Sequence, residues 1–166
     1  GGEIRDALIR AAKRGVKVRV LLDAWGSTQV SLKFFDELRV HGGQVAFFFP
    51  LFVPYLNPRI NYRNHRKIVV IDGKIGYTGG FNVGNEYLGE VEKFGYWRDN
   101  HLRILGPAVY SLQNRFLMDW NSQHAIEIKY EAALFPMIET NGTIAAQVVT
   151  SGPDSEHEEI KITYLK

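Results

Sequence analysis

His65, Lys67, Asp72, Gly79, Gly80 and Asn82 fall in one stretch, Asn-His-Arg-Lys-Ile-Val-Val-Ile-Asp-Gly-Lys-Ile-Gly-Tyr-Thr-Gly-Gly-Phe-Asn-Val-Gly-Asn-Glu, over residues 64–86. On an extended backbone, side chains two residues apart project to the same side, so His65 and Lys67 would share a face about 7 Å apart along the chain. A neutral imidazole is a nucleophile or base near neutral pH, and a lysine beside it offers positive charge to a phosphate oxygen. Phosphoryl chemistry is therefore the expectation. Glycines at 79 and 80 let backbone N–H groups approach an anion, and the Asn82 amide can donate a further hydrogen bond. Together these residues describe an oxyanion pocket without a metal.

Two strands and a turn must position them. The run Ile68-Val69-Val70-Ile71 continues from Lys67 with apolar residues on both faces, which predicts a strand buried on both sides with polar groups only at its entrance. Asp72-Gly73 predicts a tight turn into a second strand, which ends at Gly79-Gly80 and returns Asn82 to the neighbourhood of His65. An Asp-Gly turn uses its carboxylate locally, so Asp72 reads as a scaffold residue more than as a direct participant.

Around this hairpin the chain alternates helices and strands. Residues 3–14 place Ile4, Ala7, Leu8, Ala11 and Ala12 on one helical face, with Gly15 as a left-handed terminator. Residues 16–22 predict a strand with Asp23 at its end, where the carboxylate is expected to cap the following turn and take no part in the site. A second helix over 31–39 would turn Leu32, Phe35 and Leu38 inward and end at His41-Gly42-Gly43. A strand over 44–49 leads into the apolar, proline-punctuated segment 50–58, which either meets lipid acyl chains or folds back onto the core. One helical turn is expected near 83–87, a loop over 88–96, a strand over 98–105 and a helix over 108–121 with Val109, Leu112, Phe116 and Trp120 on one stripe. Residues 145–150 read as a last strand, 151–154 as a turn, and the acid-rich 156–159 as a helix start in which His157 is no metal ligand.

Bulk properties fit one α/β domain. The chain has 166 residues, 45% of them hydrophobic, and a formal charge of +2 that by itself implies no nucleic-acid partner. It contains no cysteine, which excludes disulfide frameworks and thiolate metal sites. There is no apolar run long enough to span a bilayer, so the segment itself is expected to be soluble. The opening Gly1-Gly2 leads straight into a helical pattern, and an excised piece is expected.

His65-x-Lys67, Asp72 and Gly79-Gly80-x-Asn82, with Trp97-Arg98-Asp99 and Ser151-Gly152-Pro153-Asp154 further on, resemble the HKD signature of the phospholipase D superfamily. The wording around the motif is most similar to the amino-terminal catalytic half of bacterial cardiolipin synthases, over nearly the whole chain. That resemblance implies an α/β half-domain with a mixed sheet flanked by helices, here lacking its first strand. Residues 1–150 would form the half-domain and 151–166 the start of the connection to a second half. It also implies a site of His65, Lys67, Asp72, Asn82 and Asp99, with Asp99 orienting the imidazole and Lys67, Gly79, Gly80 and Asn82 binding phosphate. No cofactor or metal is implied.

In the resembling family two such motifs face one another, one histidine attacking phosphorus and the other protonating the leaving alkoxide. This chain carries one His-x-Lys motif. The expected partners are therefore a phosphatidylglycerol substrate, a membrane surface, and a second HKD half or a second copy of the chain. The expected reaction joins two phosphatidylglycerol molecules into cardiolipin with release of glycerol. The intact protein is expected at the cell membrane with its catalytic part cytoplasmic. A homodimeric phosphodiesterase or nuclease is the alternative; Arg59, Arg63, Arg66 and Lys67 would favour it and the apolar segment beside them would not, so nucleic acid is not the expected partner.

Overall fold

A computed structural model describes residues 1–49, 63–123, 126–152 and 157–165. The apolar segment 50–58, Arg59 and the Pro153-Asp154 part of the expected turn lie outside them. Helix α1 (Gly2–Lys13) is followed by Gly15 at φ 87°, the left-handed terminator expected there. Its buried face differs by a small rotation from the expected one. Ile9 and Ala12 are buried and Leu8 and Ala11 partly so, whereas Ile4 and Ala7 face solvent. The cause is its neighbour: α1 packs against α2 (Asp36–Val40), whose Leu38, with Phe35 just before it, meets Ile9 and Ala12. The Arg5 guanidinium lies over the Phe34 ring at 4.7 Å.

The segment expected as one helix over 31–39 is a 3₁₀ turn, Leu32–Phe35, continued by α2, and Leu32 is exposed. Strand β1 (Arg19–Asp23) pairs in parallel with β2 (Gln44–Phe48), from Arg19 opposite Gln44 to Asp23 opposite Phe48. The αβ order of the sequence produces this pair, because parallel neighbours need a crossover and α2 supplies it.

The second group of strands is antiparallel. Strand β3 (Ile68–Ile71) pairs with β4 (Ile75–Gly79), which pairs with β5 (His101–Leu105). Asp72 at φ 53° and Gly73 at φ 66° make the β3–β4 turn, closed by the Lys74 N–H donating to the Ile71 carbonyl at 3.0 Å. Both left-handed positions carry residue types that tolerate them. Helix α3 (Val109–Asn121) packs across β2, β3 and β4, so it ties the two groups together. Its inward residues are Val109, Leu112, Leu117 and Trp120, with Phe116 half-buried. Trp120 and Leu117 join Ala46 and Ile128 in one of two cores, and the other holds Ile9, Ala12, Val18, Phe35 and Leu38.

Three expectations need correction. Strand β3 is covered on one face only: Val69 is 53% and Ile71 44% exposed, because α3 lies against the opposite face and no described residue covers theirs. His65 and Lys67 precede the strand instead of opening it. Residues 145–150 form no strand, since no described residue pairs with their backbone; Val148 and Val149 are half-buried and their neighbours exposed. Helix α4 (Glu159–Leu165) follows, and none of its residues is buried. No helix among the described residues is long and apolar enough to cross a membrane.

Candidate active site

Strand β1, helix α3 and the backbone at Ser151 all bond to the segment that carries His65 and Lys67. The Asp23 carboxylate, at the end of β1, accepts from the Gly26 N–H at 2.6 Å, which is the turn cap expected of it. Its other oxygen accepts from the Asn64 N–H at 2.9 Å. Asp23, expected to take no part in the site, therefore fixes the backbone immediately before His65. The Asn64 side chain donates to Asp119 of α3 at 3.0 Å, and its oxygen accepts from the Arg66 N–H at 3.0 Å. Asp119 is 2% exposed and also pairs with Arg115 and, at 3.4 Å, with Arg66. Arg66 reaches on to the Ser151 carbonyl at 3.0 Å. One buried carboxylate thus gathers both residues that flank His65, and the alternation of the backbone sends Asn64 and Arg66 inward while His65 is left exposed.

Lys67 is half-buried, and its ammonium donates to the His65 carbonyl at 2.9 Å. Burial holds its pKa below the usual lysine value, while the carboxylates of Asp99 and Asp23 pull it part of the way back. A partly desolvated ammonium held by backbone and flanked by two carboxylates is a fixed positive charge, open to an anion that reaches the exposed His65.

Asp99 lies just before β5. Its carboxylate accepts from the Asn100 N–H at 2.7 Å and, at a long 3.5 Å, from the Trp97 indole N–H. No hydrogen bond joins it to His65. The space it occupies exists because residue 80 is glycine: a Cβ there would stand 2.0 and 2.3 Å from the two Asp99 oxygens. Gly80 N–H donates to the Asn100 carbonyl at 3.0 Å, so it closes the β4–β5 ladder instead of pointing freely at an anion. Gly79 is as tightly placed, its Cβ position 2.3 Å from the same carbonyl oxygen.

Asn82 is exposed and its amide donates to the Tyr87 hydroxyl. Tyr87 belongs to a 3₁₀ turn, Asn85–Leu88, that matches the expected helical turn, and its ring meets Phe81 at 6.3 Å and Trp97 at 5.0 Å. Phe81 also stacks on His101, at 5.8 Å and 23°. The structure thus brings Lys67 into electrostatic range of Asp99 and packs Gly80 against that carboxylate. It does not bring Asp72 there, which sits in the turn at the far end of β3, five residues from Lys67 and roughly 16 Å along an extended chain. No group of three or more His, Asp or Glu among the described residues is placed to hold a metal ion.

Asp23, Asn64, Arg66 and Asp119 support this site, and motif spacing did not point to them. Asp119 carried one signal: a carboxylate four residues after Arg115, inside an otherwise apolar stripe.

A family profile described as "Cardiolipin synthase, PLD-like domain" matches residues 1–120. Over 167 aligned residues the chain is 54% identical to the major cardiolipin synthase ClsA of Bacillus subtilis (strain 168), covering 100% of this chain and 35% of that protein. It is 49% identical to a cardiolipin synthase of Listeria monocytogenes serotype 4a (strain HCC23), with 100% and 35% covered. To a cardiolipin synthase of Staphylococcus aureus (strain N315) it is 53% identical, with 100% and 34% covered. The chain spans about a third of the length of these relatives. No solved structure matches it.

Proposed function

The chain belongs to the cardiolipin synthase, PLD-like domain family, and from that premise we propose that it supplies one half of a phosphatidyl-transfer site, with His65 as nucleophile. The observation that carries this reading is the placement of Lys67. Its ammonium is partly stripped of water, bonded to the His65 backbone carbonyl at 2.9 Å and within electrostatic reach of Asp99 and Asp23, on a chain whose His65 side chain is open to solvent.

In the first step the imidazole nitrogen of His65 bonds to the phosphorus of phosphatidylglycerol and the P–O bond to glycerol breaks. The departing alkoxide takes its proton from an acid in the facing half, and glycerol is released. In the second step a hydroxyl of another phosphatidylglycerol attacks the phosphohistidine, returns its proton to that same group, and forms cardiolipin as the P–N bond breaks. Lys67 and the Asn82 amide hold nonbridging oxygens as charge develops on them. Asp99 acts on Lys67 through its charge.

Residues 1–150 form the half-domain under this reading, and 151–166 begin the connection to the half that brings the second motif, or a second copy of the chain provides it. The lipid substrate places the protein at the membrane surface. The test is turnover of phosphatidylglycerol vesicles by the complete gene product. His65→Ala is expected to abolish cardiolipin formation and glycerol release, and full turnover in that variant would remove His65 from its role.

A further inference from the structure

Beyond Asn82 the chain leaves the sheet and exposes apolar side chains at Leu88 (71%), Phe94 (53%) and Tyr96 (89%). Their inner neighbours are the aromatic rings of the site. Tyr87 accepts from Asn82, Trp97 donates to Asp99, the two rings are 5.0 Å apart, and Phe94 follows at 6.3 Å from Trp97. A continuous run of rings therefore leads from the two polar site residues out to solvent. Beyond the 3₁₀ turn this segment has no regular backbone, and Gly89 and Gly95 take left-handed φ values of 72° and 60°. The Lys93 ammonium lies over the Phe94 ring, 5.7 Å from its centre.

From these contacts we infer that residues 83–97 form an interfacial lip that inserts into a phospholipid surface, guiding a lipid whose phosphate rests at Lys67 and Asn82. The inference rests on the phosphatidyl-transfer reading of the same site. A lipid held by its phosphate must carry its acyl chains away from the polar donors, and the ring ladder is an apolar path that starts at one of them, Asn82, and passes Asp99. Trp and Tyr, with an apolar body and a polar edge, suit the boundary between headgroups and hydrocarbon. The exposed face of β3 is a different kind of surface, flat and aliphatic with Val69 and Ile71 on a regular strand. Residues 83–98 carry Glu86, Glu90 and Glu92 against Lys93 and Arg98. Insertion is therefore driven by apolar area and not by attraction to anionic headgroups.

The test compares the protein with a Leu88→Ser/Tyr96→Ser double variant, both positions exposed and outside the contacts that hold the site. Binding is read by co-sedimentation with phosphatidylglycerol/phosphatidylcholine vesicles, and insertion by quenching of Trp97 with brominated acyl chains. The double variant is expected to bind roughly tenfold or more weakly and to lose quenching, while turning over a short-chain, monomeric phosphatidylglycerol as the parent does. Binding by the parent should persist at high salt. Equal binding by parent and variant overturns the inference, and so does an equal loss of monomeric and vesicle turnover, which would mark the lip as a protein interface. If neither protein turns over any phosphatidylglycerol, the transfer reading fails, and vesicle binding and quenching still decide whether the lip inserts.

Discussion

Two adjacent glycines at the end of β4 should respond to the same substitution in opposite ways. A Cβ on Gly79 would stand 2.3 Å from the Asn100 carbonyl oxygen, 2.6 Å from His101 Cα and 2.7 Å from His101 Nδ1. Two of these three are backbone atoms of the paired strand, and Gly79 lies opposite His101 in the ladder. Relief requires β4 and β5 to part, and overpacking against a backbone that cannot swing aside costs about 3 kcal/mol. For a Cβ on Gly80 the three nearest atoms are all at the end of the Asp99 side chain, at 2.0, 2.3 and 2.4 Å. That carboxylate can rotate away, giving up the bond from Asn100 N–H at 2.7 Å, a loss of about 1 kcal/mol. At about 2–4 °C per kcal/mol for a chain of this size, Gly79→Ala should melt roughly 6–12 °C lower and Gly80→Ala about 2–4 °C lower. Function should show the reverse emphasis for Gly80→Ala. With Asp99 displaced, folded protein should lose turnover on the order of 100-fold, the usual consequence of misplacing a site group by an ångström or so. The assay is a thermal melt beside turnover per folded molecule. Equal melting of the two variants, or wild-type turnover by Gly80→Ala, would refute this reasoning.

Other outcomes follow from the same contacts. Asp119→Ala leaves Arg66, Arg115 and the Asn64 amide around a missing carboxylate, and urea unfolding should show a loss of about 3–5 kcal/mol; a loss below about 1 kcal/mol would contradict the anchoring role. Burial makes Lys67 bind its proton less tightly than a free lysine, so its ammonium is lost below the ordinary value of about 10.4. The alkaline limb of the pH–rate profile should lie below that value, and Asp99→Asn, which removes a charge that raises the Lys67 pKa, should move it lower still. A limb that stays put or rises would be the wrong sign. Between the lowered pKa and about 10.4 the unfolded chain binds more protons, so this lysine makes stability rise with pH there. Chelation should leave turnover unchanged if, as proposed, Lys67 and Asn82 supply cation and donor to the phosphate; loss of turnover restored by a divalent metal would overturn that assignment.

How far the site could be read in advance varied with the range of the interaction. The Asp72-Gly73 turn and the hairpin it makes are local, and both left-handed residues announce themselves by type. The single exposed face of β3 was not legible, since Ile68-Val69-Val70-Ile71 reads the same whether a layer covers Val69 and Ile71 or not. The rotation of α1 toward Ile9 depends on Phe35 and Leu38 and on Arg5 covering Phe34. Periodicity within α1 could not supply that. Asp119 matters through Asn64 and Arg66, which are 55 and 53 residues away. Asp23 was readable as a turn cap, and Gly26 N–H confirms it, but its second oxygen serves Asn64, 41 residues on. The expected strand at 145–150 shows the converse, a short run of strand-like composition for which no described residue supplies a pairing partner.

The most direct test of the account is to trap the intermediate. The complete gene product is incubated with phosphatidylglycerol, quenched in denaturant at alkaline pH, digested and mapped by mass spectrometry. The account predicts a phosphatidyl group on the imidazole of His65, absent in His65→Ala and discharged when fresh phosphatidylglycerol is added before the quench. A phosphatidyl adduct on another residue, formed equally in His65→Ala, would contradict it.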